Sequence, residues 1–296
     1  MVWDELIACY LFLAGLGAGA FVLGALSSWS KTSKPHLKKA AYVIAPVAVI
    51  VGTLLLVVDA RAGLHAPLRF LHLVSNLSSI MAWGVIILSL FIIVSSASLI
   101  LLLAKKSTPK ALDVVGMALA LCVAAYTGVL LGDAGIAFPL WNMAVLPALF
   151  VVSAASTGFA AVLLATGLVA PEETKAYPLV SKTGIVLPVL EAVLIAVLLI
   201  VTAHAEGSAA VAGSASVEAL LTGSYAPAFW ICLVVVGLVL PLGIELGSHR
   251  VAAAPEDGSA AKRRPLALAG EAGVLIGGFT LRYLVVMAAV AVGAAA

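Results

Sequence analysis

Eight long apolar runs lie along the sequence, and their length limits the possible folds more than any other feature. Each run is at least about 18 residues long, which is enough for an α-helix to cross the ~30 Å hydrocarbon core of a bilayer. The sequence therefore predicts an all-α integral membrane protein with eight transmembrane helices. The predicted spans are residues 5–29, 38–58, 77–103, 111–131, 142–168, 183–203, 226–248 and 269–293.

Composition excludes an ordinary soluble domain. Hydrophobic residues make up 64% of the 296 residues and charged residues only 10%, whereas soluble domains are about 45–50% apolar and about 25% charged. The first run is expected to be a retained helix, because Asp4 and Glu5 stand where a signal peptide needs basic residues. We therefore expect all eight runs to cross the membrane.

The basic residues predict the orientation of the protein in the membrane. Most of the 16 lysines and arginines fall in the first, third, fifth and seventh connections, and the other connections hold only Arg61 and Arg69. Because cytoplasmic loops are enriched in basic residues, we expect both termini to lie outside the cytoplasm. There is no basic stripe with interleaved aromatic residues that would indicate nucleic-acid binding.

The histidines and cysteines argue against a redox cofactor in this chain. Haem iron needs axial ligands such as histidine, and an iron–sulfur cluster usually takes four closely spaced thiolates. No histidine lies deep inside a run, and the three cysteines are far apart in different runs. We therefore expect no haem, no iron–sulfur cluster and no metal site, so any electron traffic must use a mobile lipid-soluble carrier and a metal-bearing partner. These residues are His36, His65, His72, His204, His249, Cys9, Cys122 and Cys232.

Glycines are concentrated in the first run as Gly15-Leu-Gly17-Ala-Gly19. The pattern superficially resembles a dinucleotide-binding fingerprint, but that motif follows a strand. In a membrane helix, small residues at this spacing are typical of close helix–helix contact. We therefore expect other helices to approach the first helix closely here.

A weak internal repeat relates the first and fifth runs. Trp3, Phe12 and Phe21 have the same spacing as Trp141, Phe150 and Phe159. The match predicts two four-helix bundles related in parallel, residues 1–135 and 136–296, joined by the short linker Leu131–Leu140 and packed as one membrane unit. Chance is the alternative explanation, because only three aromatic residues match.

Four charged residues lie inside the last three predicted spans: Glu191, Glu245, Glu271 and Arg282. Charge inside a membrane is costly and is usually functional or paired. One interpretation is a proton path from the cytoplasmic side towards the middle of the membrane. The other is a structural ion pair, such as Glu191 with Arg282, that holds the second half together.

Polar residues are also concentrated at the predicted outer ends of the spans. A quinone needs donors for its two oxygens and proton-exchanging groups near them, which phenol, imidazole and carboxylate side chains supply. Two simpler explanations compete, an interfacial aromatic belt and a loop salt bridge of Asp59 with Arg61 or Arg69. The candidates are Asp59, Arg61, His65, Arg69, His72, Tyr126, Asp133, Trp141 and Asn142.

Three stretches of the sequence resemble signatures of one membrane-protein family. The first is Trp3-Asp-Glu-Leu-Ile-Ala-Cys-Tyr10-Leu-Phe12 with the glycine-rich run up to Phe21. The second is Arg69-Phe70-Leu-His72 with Ser75-Asn76-Leu-Ser78-Ser79-Ile-Met81-Ala-Trp83-Gly84. The third is Tyr126-Thr127-Gly128 with Pro139-Leu-Trp141-Asn142 and Leu146-Pro147. Over nearly its whole length, the sequence resembles the polysulfide reductase membrane-subunit family, also called the NrfD-like family.

The resemblance implies a quinone-interacting anchor in the inner (cytoplasmic) membrane, with no redox cofactor of its own. At the outer face it would bind an iron–sulfur electron-transfer subunit, and through it a molybdopterin-containing catalytic subunit. The family's quinone-contacting tyrosine corresponds to Tyr126, and its Arg-Phe-x-His element to Arg69 and His72. We expect menaquinone as the bound substrate, with electron flow possible in either direction.

The distance that an electron can travel places the expected quinone site at the outer side. An electron cannot cross a ~30 Å hydrocarbon core in one useful step without relay cofactors. Our hypothesis is that menaquinol docks near the partner's cluster, that Tyr126 hydrogen-bonds one oxygen, and that a carboxylate or His72 accepts a proton. Two other classes remain as alternatives: a secondary transporter, which also hides charges in its spans, and a passive anchor without quinone chemistry.

Overall fold

The computed structural model describes residues 4–30, 34–59, 78–175, 178–252 and 259–294, and every regular element in these ranges is helical. Eight of the helical stretches are long and apolar enough to cross a membrane, so the predicted all-α, multi-pass architecture is confirmed. The elements are α1 (Glu5–Trp29), α2 (Pro35–Asp59), α3 (Ile80–Leu103), α4 (Lys110–Gly132), α5 (Leu146–Val169), α6 (Pro171–Lys175), α7 (Pro178–Ala203), a 3-10 turn (Gly207–Ala209), α8 (Ala210–Leu221), a π-helical segment (Ala228–Val239), α9 (Leu240–Ala252) and α10 (Ser259–Met287).

The last span lies earlier in the protein than the sequence predicts. It runs over Arg264–Met287, whereas residues 269–293 were expected. The apolar residues after Met287 leave the helix because they bond to other parts of the protein. Val290 N–H donates to Ser216 Oγ in α8 (2.9 Å), and Val292 N–H donates to the carbonyl oxygen of Ala137 (2.8 Å).

These bonds gather several segments at one end of the bundle, which we call the terminal face. It comprises the start of α1, the connection 133–145, α8 and the segment 288–294. Tyr283, near the end of α10, interacts electrostatically with Glu5 at the start of α1. The opposite end, which we call the lysine-rich face, carries the connection 104–109 and α6. The orientation of these faces in the membrane stays a prediction.

Helix α1 is the most buried of the spans in the described residues, and three of its four glycines admit three different neighbours. A Cβ atom at Gly17 would lie 2.7 Å from a carbonyl oxygen of α2, and one at Gly19 would overlap the backbone of Ala154 in α5. A Cβ atom at Gly15 would lie 2.8 Å from Nη2 of Arg282 in α10. The predicted close approach at these glycines is confirmed.

Helices α1 and α5 cross with their backbones in contact. A Cβ atom at Gly158 would overlap backbone atoms of Gly19 and Ala20. In the aromatic repeat, Ala20 and Gly158 are equivalent positions. Helices α1 and α5 therefore meet at positions that the predicted repeat makes equivalent, while the repeat itself stays a prediction. The division of the protein at residue 135 stays a prediction.

The seventh span changes helix type along its length. The segment Ala228–Val239 is π-helical and continues without a break into α9, and Leu240 N–H donates to the carbonyl oxygen of Val235 five residues earlier. Pro241 follows at once and has no N–H, so it cannot supply the α-helical hydrogen bond expected at that position. A wider helix before a proline is a known way to accommodate this loss.

Candidate functional site

Two tyrosine side chains are buried at similar depth below the terminal face. Tyr10 lies in the second turn of α1 and Tyr126 about two turns before the end of α4, so each is roughly 8–9 Å along its helix from that face. Tyr10 is completely buried, and its hydroxyl has no hydrogen-bond partner among the described residues. Tyr126 is 6% exposed and lies near Tyr10.

The Tyr126 hydroxyl likewise has no hydrogen bond to any group in the described parts of the protein. Burying a hydroxyl without a partner costs about 1–3 kcal/mol. Two neighbouring phenol side chains are chemically able to hold a polar ligand, because each phenol can both donate and accept a hydrogen bond. The phenol pair is therefore the strongest candidate binding site in the first half.

Residues next to Tyr126 fix the end of α4 against α5. The Thr127 hydroxyl donates to the carbonyl oxygen of Ala124 (2.6 Å). A Cβ atom at Gly128 would lie 2.5 Å from Cα of Pro147. Two parts of the third sequence signature, Tyr126-Thr127-Gly128 and Leu146-Pro147, thus lie against each other.

The phenol ring of Tyr126 lies on the backbone of α3. A Cβ atom at Gly84 would overlap Oη and Cζ of Tyr126 and would lie 2.5 Å from its Cε1. Gly84 is buried, whereas its neighbours Met81 and Trp83 are about half exposed on the outside of the bundle. The second signature therefore meets the third at this contact.

Three more of the predicted ligands lie at the terminal face, and two of them already have bonded polar groups. Trp141 is buried, and its Nε1 donates to the carbonyl oxygen of Val285 in α10 (2.7 Å). Asn142 Oδ1 accepts two backbone N–H groups of the turn before α5 (3.0 and 3.3 Å). Asp133 is exposed at the end of α4. As quinone ligands these three residues stay predictions.

The remaining predicted ligands belong to the connection between α2 and α3. Arg61, His65, Arg69 and His72 lie outside the described residues, as does the side chain of Asp59, the last residue of α2. Their roles therefore stay predictions too.

Arg282 is completely buried where three helices meet. Its Nε donates to the carbonyl oxygen of Leu11 in α1 (3.2 Å), and its Nη1 donates to Ser153 Oγ in α5 (2.7 Å) and to the carbonyl oxygen of Gly278 in α10 (2.9 Å). Nη2 has no hydrogen-bond partner among the described residues and fills the space beside Gly15. The guanidinium thus ties α1, α5 and α10 together.

Glu191 of α7 joins this cluster through Ser153. The Ser153 hydroxyl bonds to the buried Glu191 carboxyl as well as to Arg282, so the two opposite charges interact across a hydroxyl rather than in direct contact. The rings of Phe12 and Phe150 lie beside the guanidinium, with their centroids 5.9 and 5.2 Å from Cζ. These two phenylalanines are equivalent positions in the aromatic repeat.

The other two predicted acids form a separate group nearer the lysine-rich face. Glu271 of α10 interacts electrostatically with Glu245 of α9. A Cβ atom at Gly184 in α7 would lie 3.2 Å from Cγ of Glu245. Because Gly184 is about two turns from Glu191 along α7, the two acidic groups are stacked roughly 10 Å apart.

The sequence predictions missed several buried polar groups, among them one phenol and one acid. The phenol is Tyr10, whose only signal was its place in the first signature. The acid is Asp113 in α4, which accepts a hydrogen bond from Tyr42 Oη of α2 (2.7 Å), while Ser28 Oγ of α1 lies 3.2 Å from the same hydroxyl. An acid in the first turn of a helix is usually an exposed partner of the helix dipole. This cluster joins three helices near the lysine-rich face, away from the phenol pair.

A carboxylate of α6 caps the start of α2. Glu173 Oε2 accepts the backbone N–H groups of His36 (3.0 Å) and Leu37 (2.9 Å), and its Oε1 lies 2.7 Å from His36 Nδ1. Burial alone would raise the pKa of Glu173, but these hydrogen bonds outweigh it and hold its pKa below the usual value. The cap fastens α2 to the segment that follows α5.

We expect Glu173→Gln to lower stability at neutral pH by about 1–2 kcal/mol, because a charged cap becomes neutral. The unfolded carboxyl has a pKa near 4.3, and the native pKa is lower. The stabilisation by the ionised Glu173 carboxylate is therefore complete above about pH 4.3 and is lost as the pH falls through the native pKa. Thermal unfolding in detergent should show that Glu173→Gln is less stable than the parent at pH 7 and that this difference in stability becomes smaller towards pH 3. Glu172→Gln, at an exposed neighbour, is the matched control, and an equal deficit in both variants would contradict the cap.

The helices and their buried polar groups define a multi-pass α-helical membrane protein with candidate ligand groups at one face. A family model described as polysulphide reductase, NrfD, matches residues 1–294. The chain belongs to this family, and the resemblance inferred from the three signatures is confirmed.

Curated relatives agree with this assignment. The C subunit of polysulfide reductase from Wolinella succinogenes is 34% identical over 272 residues, covering 83% of each protein. The NrfD homolog of Haemophilus influenzae is 27% identical over 274 residues, covering 82% of each protein. Protein NrfD of Escherichia coli is 31% identical over 197 residues, covering 57% of this protein and 60% of that one. The Wolinella relative is, by its name, one subunit of a reductase that has others.

Proposed function

We propose that this protein is the quinone-interacting anchor subunit of a respiratory oxidoreductase complex in the cytoplasmic membrane. It exchanges electrons between menaquinol and an iron–sulfur subunit bound at the terminal face, and through that subunit with a molybdopterin catalytic subunit. Family membership supports the anchor role. The observation that carries the quinone role is the phenol pair: the buried Tyr10, whose hydroxyl has no hydrogen-bond partner among the described residues, and the nearby buried side chain of Tyr126.

The chemistry of the pair suits a quinol. Oxidation to the quinone releases two electrons and two protons, so the site must hold both oxygens and pass protons on. Tyr126 is proposed to hydrogen-bond one oxygen, and Tyr10 the second oxygen or an intervening water. Asp59, Asp133 and His72 are the proposed proton acceptors near the same face, because carboxylate and imidazole groups perform this role near neutral pH.

The depth of the pair supports direct electron transfer to a docked partner. Both phenols lie roughly 8–9 Å from the terminal face along their helices, which is a small part of a ~30 Å core. The opposite face carries the lysines, so the positive-inside rule favours an outer location for the terminal face. A metal cluster bound there needs no relay inside this protein.

For the buried acids, we favour a structural role of Arg282 and Glu191 over a continuous proton path. Arg282 donates hydrogen bonds to three helices, and the two acidic groups are stacked roughly 10 Å apart along α7. If protons enter from the lysine-rich face, Glu245 and Glu271 are the groups nearest to it.

Replacing Tyr126 with Phe tests the quinone role. The protein is purified with its accompanying subunits, and oxidation of 2,3-dimethyl-1,4-naphthoquinol is measured together with reduction of the partner's clusters by electron paramagnetic resonance. We expect the rate to fall by roughly 100-fold or more, as it does when one aligned donor is removed from a reacting oxygen. The amount of assembled complex should not change. Tyr283→Phe, a half-buried phenol of α10 near the same face, is the matched control and should keep the parent rate.

Other outcomes separate the alternatives. Full activity of Tyr126→Phe would remove this residue from the mechanism. A complex that assembles but neither binds nor oxidises the naphthoquinol would indicate a passive anchor. Substrate-dependent uptake by the protein alone in liposomes would indicate a transporter.

A further inference from the structure

We infer that Gly84 is a positioning residue for Tyr126 and thereby sets where the quinone head group is held. The inference rests on the proposed quinone role of Tyr126. Gly84 lies in the second turn of α3, and the phenol reaches it from α4. The hydroxyl end of the ring occupies the volume that a methyl group at residue 84 would fill.

The contact involves the part of the phenol that would meet a ligand. The three atoms nearest to a Cβ position at Gly84 are Oη, Cζ and Cε1 of Tyr126. Within the described residues, no hydrogen bond holds this hydroxyl in place. Among the described residues, the contact with the α3 backbone at Gly84 is therefore the one that limits where this hydroxyl can lie. Every residue other than glycine would place a Cβ atom where the hydroxyl now lies.

A glycine at a helix contact is often only a packing device, and Gly116 shows what that looks like in this protein. A Cβ atom at Gly116 in α4 would overlap the ring of Phe21 in α1. That contact is about as tight, but its partner is an apolar ring nearer the lysine-rich face. The contact at Gly84 differs because the displaced atom is the proposed donor to the quinone.

Gly84→Ala in the purified complex tests the inference. The overlap must be relieved by a movement on the order of 1 Å, and a misplacement of that size at a reacting group can cost about 100-fold in rate. We expect kcat/KM for 2,3-dimethyl-1,4-naphthoquinol to fall roughly 10–100-fold, with the same yield of complex. Two controls should keep the parent kcat/KM: Gly116→Ala, which creates a similar overlap elsewhere, and Gly243→Ala, where nothing lies within 4 Å of the new atom.

The inhibitor affinity of a double variant distinguishes the positioning role of Gly84 from a role in packing alone. In the parent, Gly84→Ala should weaken binding of 2-heptyl-4-hydroxyquinoline N-oxide roughly tenfold, the worth of about one hydrogen bond. In the Tyr126→Phe background, the hydroxyl is already absent, so Gly84→Ala should change this affinity no further. Equal weakening in both backgrounds would overturn the inference.

The outcomes also separate this inference from the proposed function. If Tyr126→Phe loses turnover but Gly84→Ala keeps the parent kcat/KM, the positioning role is wrong and the quinone role stands. If Gly116→Ala loses as much as Gly84→Ala, the loss reflects general disruption and the positioning role is wrong. If Tyr126→Phe is fully active, the quinone role fails, and the inference fails with it.

Discussion

We expect replacement of Arg282 with Met to reduce greatly the amount of folded protein in the membrane. Methionine has a similar length but cannot donate, so Ser153 Oγ and two carbonyl oxygens lose a buried partner. The Glu191 carboxyl, which bonds to the same serine, also loses the nearby positive charge. Removing one member of a buried charge pair costs about 3–5 kcal/mol. That is a large share of the roughly 5–15 kcal/mol that typically stabilises a native protein.

The yield of detergent-extracted complex and its thermal midpoint measure this loss. Adding Glu191→Gln to Arg282→Met removes the unpaired acid, so the double variant should recover at least half of the lost stability, because neutral replacement of a buried pair is often tolerated. Parent-level stability of Arg282→Met alone would show that the cluster does not hold the helices together.

The same double variant separates the two interpretations of the buried acids. If Glu191 and Arg282 only fasten helices, a double variant that folds should oxidise the naphthoquinol at close to the parent rate. If Glu191 carries protons, folding recovers but turnover does not. Recovery without turnover would therefore contradict the structural role that we favour.

The spans could be predicted because membrane insertion depends on local length and apolarity, which the sequence contains directly. The end of α10 could not. Residues 288–292 are apolar enough to continue the transmembrane helix, but the backbone N–H groups of Val290 and Val292 bond to Ser216 and Ala137. Those partners are distant in the sequence, and no local pattern contains them.

In the candidate site, too, some features could be predicted from the local sequence and others could not. Tyr126 was predicted from its Tyr-Thr-Gly context and is buried, as a ligand-binding phenol would be. Trp141 and Asn142 were predicted from their place among the polar residues at the outer ends of the spans, and their polar atoms bond to the backbone. An amphipathic side chain at an interface has the same local sequence pattern whether its polar atom meets a ligand or the protein.

The glycines show why the rest of the site could not be predicted from the sequence. Gly15 and Gly84 each leave a space, but what fills the space comes from a helix elsewhere in the protein: Arg282 in one case and Tyr126 in the other. The pattern of small residues predicts that something approaches closely. It does not predict whether that neighbour is a backbone, a charge or a phenol.

Among Gly158→Ala, Gly84→Ala and Gly243→Ala, we expect the first to be the most damaging, because the atoms in its way are backbone atoms. The new Cβ would overlap Gly19 and Ala20 of α1, and backbone cannot move aside by changing a rotamer. Helix α1 is also held by α2 and α10, so it cannot shift alone. Overpacking a core usually costs about 1–3 kcal/mol, and we expect about 3 kcal/mol or more here.

The measurement is the thermal midpoint and yield of Gly158→Ala beside Gly84→Ala and Gly243→Ala. All three add one methyl group to a helix, and alanine favours a helix over glycine by about 1 kcal/mol. Because the helix-propensity gain is the same in all three variants, their order of stability should depend only on the steric cost of the added methyl group. Gly243→Ala, in open space, should lose nothing, Gly84→Ala should lose little because the Tyr126 ring is able to move, and Gly158→Ala should lose most. If Gly158→Ala were as stable as Gly243→Ala, the backbones of α1 and α5 would not be in tight contact at this position, and the predicted repeat would lose a contact that supports it.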